Sequence, residues 1–445
     1  MTRKLRLSPV QTIALGFIAI ILLGSLLLSL PFAQRAGRPP LPWLDALFTA
    51  ASATCVTGLV AADTWSQFSL AGQVILLALI QIGGLGFMSF AMILTLALGR
   101  RLGLRGRSIL MESVSSLQIG GVEGLVRHIL LGTAIVEGSG ALLLCFAFVP
   151  RFGFWRGLWY GVFHAVSAFC NAGFDLMGSL EPYSSLTLFR DDVLVNLVVM
   201  ALIVIGGVGF LVWEDLRKHG LRFSRYMLHT RLMLTASAAL ILLPALVLFL
   251  SEKDASMAGL NVGQRILASL FQSVSARTAG FNTVPLDRLS GGGALMMTVL
   301  MTVGAGAGST AGGVKVTTFV IVLLYVWAFI RGRSDVEVFG RRLDEGQMRR
   351  AFCALCFFVT LALLSSLLLM LLQPLPMQDV FFEVFSAVGT VGLSTGITRG
   401  LVPLSKLLLI VLMYMGRMGS ITVVMAVAEK KNARIMKPVE KIVIG

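Results

Sequence analysis

Charge is scarce in this chain. Of 445 residues, 13 % are Asp, Glu, Lys or Arg and 56 % are hydrophobic, whereas an ordinary soluble domain is ~25 % charged. A soluble globular class is therefore excluded. Histidine is scarcer still: His128, His164, His219 and His229 are scattered, form no HExxH and offer no metal centre. The five cysteines show no disulfide or zinc spacing. Cys353 and Cys356 form a CxxC, but inside an apolar stretch, where they read as small residues packed between helices. There is no clustered carboxylate pair and no Ser–His arrangement, so an enzyme is not expected. The net charge of +15 does not point to nucleic acid, because the basic residues are dispersed beside the ends of apolar stretches.

Long apolar stretches are what the chain has instead. A membrane span needs ~20 apolar residues. Residues 7–34, 64–99, 193–213, 232–251 and 351–378 qualify without a charge. Residues 128–150, 289–330 and 407–428 qualify with one interruption each, at Glu137, Lys315 and Arg417. The first span is too long for a removable signal peptide and lacks an A-x-A site. Placing the N-terminus, 100–127, 214–231, 331–350 and the tail from Glu429 on one side collects 24 of the 37 Lys and Arg there. By the positive-inside rule that side is the cytoplasm, and both termini face it.

Four shorter runs recur among these spans. They read LFTAASATCVTGL (47–59), VFHAVSAFCNAGF (162–174), LFQSVSARTAGF (270–281) and VFSAVGTVGL (384–393). Each is too short to span and closes on a glycine: Gly58, Gly173, Gly280 and Gly392, separated by 115, 107 and 112 residues. The third run carries its Ser-Ala one residue nearer the glycine. Each run lies on the outer side between two spans, so successive units start and end inside and repeat in parallel. Inverted repeats, as in many secondary transporters, would alternate. The expected fold is an all-α integral membrane protein: eight transmembrane helices in four parallel span–pore loop–span repeats around a pseudo-fourfold pore. The units are 1–100, 101–217, 218–330 and 331–428, followed by a basic cytoplasmic tail, 429–445. The second spans echo one another as IGGLGF (82–87), IGGVGF (205–210) and MGRMGS (415–420), which suggests close packing of these helices on the pore runs.

The chemistry of such runs suits a bare monovalent cation. Carbonyl oxygens held in a ring replace the ion's water without a full charge to trap it. Glycine permits the backbone conformations this demands. The filter set is then Cys55, Val56, Thr57 and Gly58; Cys170, Asn171, Ala172 and Gly173; Thr278, Ala279 and Gly280; and Thr390, Val391 and Gly392. Thr57, Asn171, Thr278 and Thr390 are expected to give polar support. Small size is the expected reason for Cys55 and Cys170. Only the fourth run carries TVGL, so the ring is imperfect and moderate selectivity over sodium is expected.

Two more features stand out. The stretch around GAGAGSTAGGVK (304–315) makes its span about twice the needed length and has five glycines in ten residues. At ~1 kcal/mol of helix propensity per glycine, a continuous helix is disfavoured, and an extended intramembrane loop below the filter is expected. It is not a Walker A loop, because Val314 separates Gly313 from Lys315 and no strand precedes it. Arg417 lies mid-span where the first two echoes have glycine, an expensive position for a cation unless it serves the pore; a structural ion pair with Glu383 is the competing reading. Structural support is expected of Arg277 and His164, and Glu137 is assigned no role.

These motifs together, NAGF, RTAGFNT, TVGLSTG and GRMG, resemble the Trk/Ktr/HKT superfamily of potassium transporters across essentially the whole chain, and within it the bacterial Ktr-type membrane subunit. Trk-type members have two further N-terminal spans that this chain lacks. The resemblance implies potassium uptake across the bacterial cytoplasmic membrane, K+ at the filter as the only metal, no covalent cofactor, and Na+ dependence left open. Gly58 stands where a serine accompanies sodium transport in plant members, and so favours potassium. The resemblance also makes 304–315 the gate, carried by Gly304, Gly306, Gly308, Ser309, Thr310, Gly312, Gly313 and Lys315. It implies a homodimer in the lipid bilayer, one pore per protomer, docked on a cytosolic RCK-type ring of nucleotide-binding regulatory subunits. The alternative is a secondary transporter of another solute with a broken-helix site at 304–313.

Overall fold

Hydrophobic length and local capping account for the elements of the computed structural model, which describes residues 9–86, 122–333 and 335–419. The tail 429–445 and most of the basic segment 100–127 lie outside the described residues. In chain order the first stretch contributes helices α1 (Pro9–Ser29), α2 (Trp43–Thr54) and α3 (Leu70–Leu85). The second contributes α4 (Val122–Phe152), α5 (Phe154–Phe169), α6 (Val193–Gly207) and α7 (Phe210–His219). The third contributes α8 (Leu228–Ser251), α9 (Val262–Ser275), α10 (Gly291–Thr302) and α11 (Val316–Ile330). A two-residue hairpin pairing Glu337 with Arg342 leads into α12 (Glu345–Leu372), α13 (Met377–Gly389) and α14 (Pro403–Met418).

Four of these, within α1, α4, α8 and α12, are long and apolar enough to cross a membrane. They turn large apolar side chains outward, among them Leu22, Phe146, Leu243 and Leu371, as helices facing hydrocarbon do. The short helices α2, α5, α9 and α13 instead bury their C-terminal parts. Phe48, Phe163, Phe271 and Phe382, one on each, are fully enclosed. They precede the closing glycine by ten residues, or by nine in the third run, so the one-residue shift read from Ser-Ala extends through that helix.

Side chains set several of the helix starts. Ser69, Asp192 and Ser290 accept from the backbone N–H of Gly72, Val195 and Gly293 at 3.2, 3.1 and 3.0 Å, opening α3, α6 and α10. Asn261 and Gln264 cap α9 reciprocally, both bonds 2.9 Å. The helix ends carry the less expected geometry. The expected span 193–213 is broken: α6 and α7 meet at 94°, with Gly209 at φ +99°. Gly86 and Gly419 close α3 and α14 at φ +84° and +81°, so the glycine at the fifth position of each echo is a stop that L-residues with a β-carbon would resist. The expected break in 289–330 is present as residues 303–315 between α10 and α11.

Candidate functional site

The four closing glycines meet. Space alone requires them to lack a side chain: a β-carbon on Gly58 would lie 2.5 Å from the Ala172 carbonyl oxygen, one on Gly173 2.8 Å from that of Ala279, one on Gly280 2.6 Å from that of Val391, and one on Gly392 2.1 Å from that of Thr57. The contacts run 58 to 173 to 280 to 392 and back to 58. The ring is closed, and it follows chain order. All four glycines have φ between +67° and +96°.

The residues two before each glycine are Val56, Asn171, Thr278 and Thr390, all left-handed at φ +56°, +58°, +76° and +51°. Such values are uncommon without glycine, most of all for β-branched residues. Their recurrence at one register means the four chains follow the same path. It also corrects the expected polar set: Thr57 is one residue out of register, and Val56 is the true counterpart of Asn171. The hydroxyls of Thr57, Thr278 and Thr390 find no hydrogen-bond partner among the described residues.

Support comes from the serine of each Ser-Ala, a residue whose role the sequence does not reveal. Gly58 N–H donates to Ser52 Oγ and Gly392 N–H to Ser386 Oγ, both 3.0 Å. The Ser167 hydroxyl donates to the Phe174 carbonyl at 2.7 Å, and that of Ser275 to the Phe281 carbonyl. The serine carbonyls accept from Thr57, Ala172, Ala279 and Val391 N–H at 2.8 to 2.9 Å. The third of these closes a ring one residue shorter, as its Ser-Ala offset requires.

The echo glycines press on the loops from behind, as expected. A β-carbon on Gly83 would meet the Thr54 carbonyl at 2.1 Å, one on Gly206 that of Phe169 at 1.9 Å, and one on Gly416 that of Val388 at 2.1 Å. Each carbonyl lies four residues before a closing glycine. A β-carbon on Gly84 would lie 2.6 Å from Cys170 Sγ, which explains why a small residue stands at 170. Cys55 is fully buried.

A cavity of about 110 Å3 opens on one side of the ring, lined by all four glycines and by residues that follow them, including Asp63, Asp175, Asn282, Ser394 and Arg399. Sequence alone does not mark Asp63, Asp175 and Arg399, because each is an isolated charge in a loop. Asp63 ties two loops together, accepting from Ser66 N–H at 2.8 Å and Tyr183 N–H at 3.1 Å. The Arg399 guanidinium stacks on the Tyr183 ring at 4.3 Å.

On the other side lies the glycine-rich segment. Gly304 N–H donates to Val314 O at 2.8 Å, Gly306 N–H to Gly207 O at 2.8 Å, and Phe210 N–H to Gly308 O at 2.9 Å. Thr310 Oγ1 is 3.1 Å from both the Phe169 and Gly206 carbonyls and 3.3 Å from the Asn171 amide. That amide is satisfied with its oxygen toward Thr310, since its nitrogen then donates to Ala168 O and Ile203 O at 3.2 and 3.3 Å. Two residues on, a β-carbon on Gly312 would meet Thr390 Oγ1 at 2.1 Å, and one on Gly313 the Gly389 carbonyl at 3.0 Å. Asn171 and Thr390 belong to loops on opposite sides of the ring, so the segment crosses beneath it. Ser309 Oγ accepts from Ala311 N–H at 3.3 Å. Lys315 Nζ folds back on the Ala311 carbonyl at 2.7 Å.

Arg417 does not pair with Glu383. Its guanidinium donates to the carbonyls of Thr310 and Gly83, and to that of Gly84 at 3.1 Å. Glu383 instead accepts from Ser394 at 2.7 Å and from Thr398. Oxygen dipoles therefore solvate the buried cation, in place of a counter-charge. Glu137 accepts from Gln81 at 3.1 Å. Arg277 bonds Ser237 O and Oγ at 3.2 and 3.3 Å, and His164 bonds Tyr160 O at 2.8 Å; both brace neighbouring backbone, as expected. Cys353 and Cys356 are exposed and do not pack between the described helices. Among the described residues no group of His, Cys, Asp and Glu can hold a metal.

Helices that expose apolar faces around buried, glycine-closed loops define a polytopic membrane protein of the cation-transporter class. Its fold matches the crystal structure of the potassium transporter TrkH from Vibrio parahaemolyticus with a TM-score of 0.74 over 96 % of this chain and 86 % of that one, at 19 % identity. The chain belongs to the TrkH family, described as cation transport protein, whose profile matches residues 10–436. It is 39 % identical to the Ktr system potassium uptake protein B of Bacillus subtilis, covering 99 % of this chain and 97 % of that protein. It is 38 % identical to the potassium/sodium uptake protein NtpJ of Enterococcus hirae, covering 99 % and 98 %.

Proposed function

We propose that this chain is the membrane subunit of a bacterial potassium uptake system, with the four glycine loops as its selectivity filter and residues 304–315 as its gate. The cyclic contact among Gly58, Gly173, Gly280 and Gly392 carries the reading. Four like backbones meeting in a ring offer successive carbonyls, from Thr57, Ala172, Ala279 and Val391, to an ion on their common axis. The cavity beyond the ring is the outer mouth. Its carboxylates, Asp63 and Asp175, favour cations. The segment beneath the ring bars the inner exit, tied to one side through Thr310 and to the other through Gly312.

The units are the four parallel repeats bounded at residues 100, 217, 330 and 428, with both termini cytoplasmic. Relatives named for Ktr systems support a second, cytosolic component. We assign it the nucleotide-binding RCK-type ring, acting on a homodimer with one pore per protomer. Sodium enters as a second candidate ion, since one relative carries potassium/sodium in its name. A broken-helix substrate site at 304–313 is disfavoured, because backbone and side-chain partners from α6, α7 and α14 occupy that segment.

Gly58→Ser and Gly392→Ser test the filter. Both add a side chain at positive φ, at a strain of ~1–2 kcal/mol, and against a neighbouring carbonyl. Each is expected to reduce K+ over Na+ discrimination in uptake by an uptake-deficient bacterium. Parental discrimination in both variants would end the filter reading.

A further inference from the structure

Thr310 touches more of the site than a barrier requires. Its N–H donates to Gly206 O at 3.4 Å, its carbonyl accepts from Arg417, and its fully buried hydroxyl sits among Phe169 O, Gly206 O and the Asn171 amide. A hydroxyl has one proton to give, and three acceptors converge on it. Phe169 and Asn171 are the residues four and two before Gly173, so two of these acceptors belong to the backbone or side chain of the second glycine loop itself. Asn171 is held at φ +58°, a conformation that persists only where its surroundings impose it. Across the ring, Gly312 presses on Thr390, which holds the same conformation at φ +51°.

We propose that Thr310 is a positioning residue for the second filter loop, so that the bar beneath the ring also fixes the ring's inner geometry and its release loosens ion discrimination as it admits flux. The inference rests on the gate reading above and extends it: the closed segment is a template for the filter. The first and third loops, whose residues Val56 and Thr278 share no hydrogen bond with 304–313 among the described residues, keep their shape in either state. Loosening is therefore confined to one opposed pair of loops.

Thr310→Val keeps the shape and removes the proton; Thr310→Ser keeps the hydroxyl. K+ and Na+ uptake are measured for both in the full chain, normalised to assembled protein in the membrane. Losing one buried neutral hydrogen bond corresponds to a change of about two- to tenfold. Thr310→Val is expected to raise K+ flux and lower the K+ to Na+ uptake ratio by that factor, with Thr310→Ser close to the parent in both. Thr310→Ala serves if the valine variant does not assemble. An unchanged ratio in both Val and Ala variants overturns the proposal, and so does a serine variant that falls with them. Deletion of 304–313, assayed alongside, reports on the gate separately. Unchanged flux there ends the gate reading, whereas raised flux with an unchanged Thr310→Val ratio ends only this inference.

Discussion

Arg417 and Thr310 join the last helix to the loop beneath the ring: one guanidinium nitrogen donates to the Thr310 carbonyl while the other reaches α3, 3.1 Å from the Gly84 carbonyl. The planar fork spans two elements that a single ammonium does not. Arg417→Ala releases the loop and removes a cation from below the ring, and both changes act in the same direction. Hydrogen bonds to charged groups contribute ~1.5–3 kcal/mol each. Maximal K+ uptake is expected to rise about tenfold or more, with assembly retained. Arg417→Lys is expected to fall between parent and alanine. Uptake rates normalised to membrane-inserted protein check this; an alanine variant slower than the parent contradicts it.

The echo glycines give a matched pair of stability tests. Gly83→Ala places a β-carbon 2.1 Å from the Thr54 carbonyl, where only backbone can yield. Its assembled fraction and transport are expected to collapse. Gly138→Ala, on the exposed face of α4 with nothing within 4 Å, is expected to gain up to ~1 kcal/mol from helix propensity. Thermal stability of the detergent-purified protein separates the two.

Serine hydroxyls behind the ring predict a selectivity effect without an assembly defect. Ser52→Ala leaves the buried Gly58 N–H without its acceptor, at a cost of ~1–3 kcal/mol, and Ser386→Ala does the same to the half-buried Gly392 N–H at a smaller cost. Gly58 and Gly392 are neighbours in the ring, so the double variant is expected to deviate from additivity. K+ over Na+ uptake ratios for the two singles and the double measure that coupling. Strict additivity, with parental ratios in both singles, contradicts the role given to these serines.

At the cavity beside the ring the predictions have opposite signs. Asp63→Asn removes a negative charge from the cavity and Arg399→Gln a positive one. Half-maximal K+ concentration is expected to rise about two- to fivefold in the first and fall in the second, both effects shrinking as inert salt is added. Shifts of the same sign in both variants contradict an electrostatic mouth.

Much of this was legible in the sequence because it is written in glycine. The spacing of Gly58, Gly173, Gly280 and Gly392 and the density of glycine in 304–313 report local backbone demands, which one chain states without its neighbours. The Ser-Ala shift in the third run was legible for the same reason, and it reappears as a shorter hydrogen-bonded ring. What stayed hidden depends on partners distant in sequence. Arg417 finds carbonyls 107 and 333 residues away, whereas the nearby Glu383 is taken by Ser394 and Thr398. The register of Val56 emerges only from its left-handed φ. The 94° turn at Gly209 was displayed in IGGVGF but is indistinguishable in sequence from a helix-packing glycine. Cys353 and Cys356 face outward because α12 turns that stripe away from the described helices, which apolar composition does not reveal.

The most direct test of the ring is to locate ions in it. Anomalous scattering from crystals grown with Rb+ or Ba2+ is expected to show density on the axis bounded by the Thr57, Ala172, Ala279 and Val391 carbonyls, at the level of the four glycines. Density confined to other parts of the molecule, with that axis empty under saturating ion, would contradict the claim that these loops form the cation path.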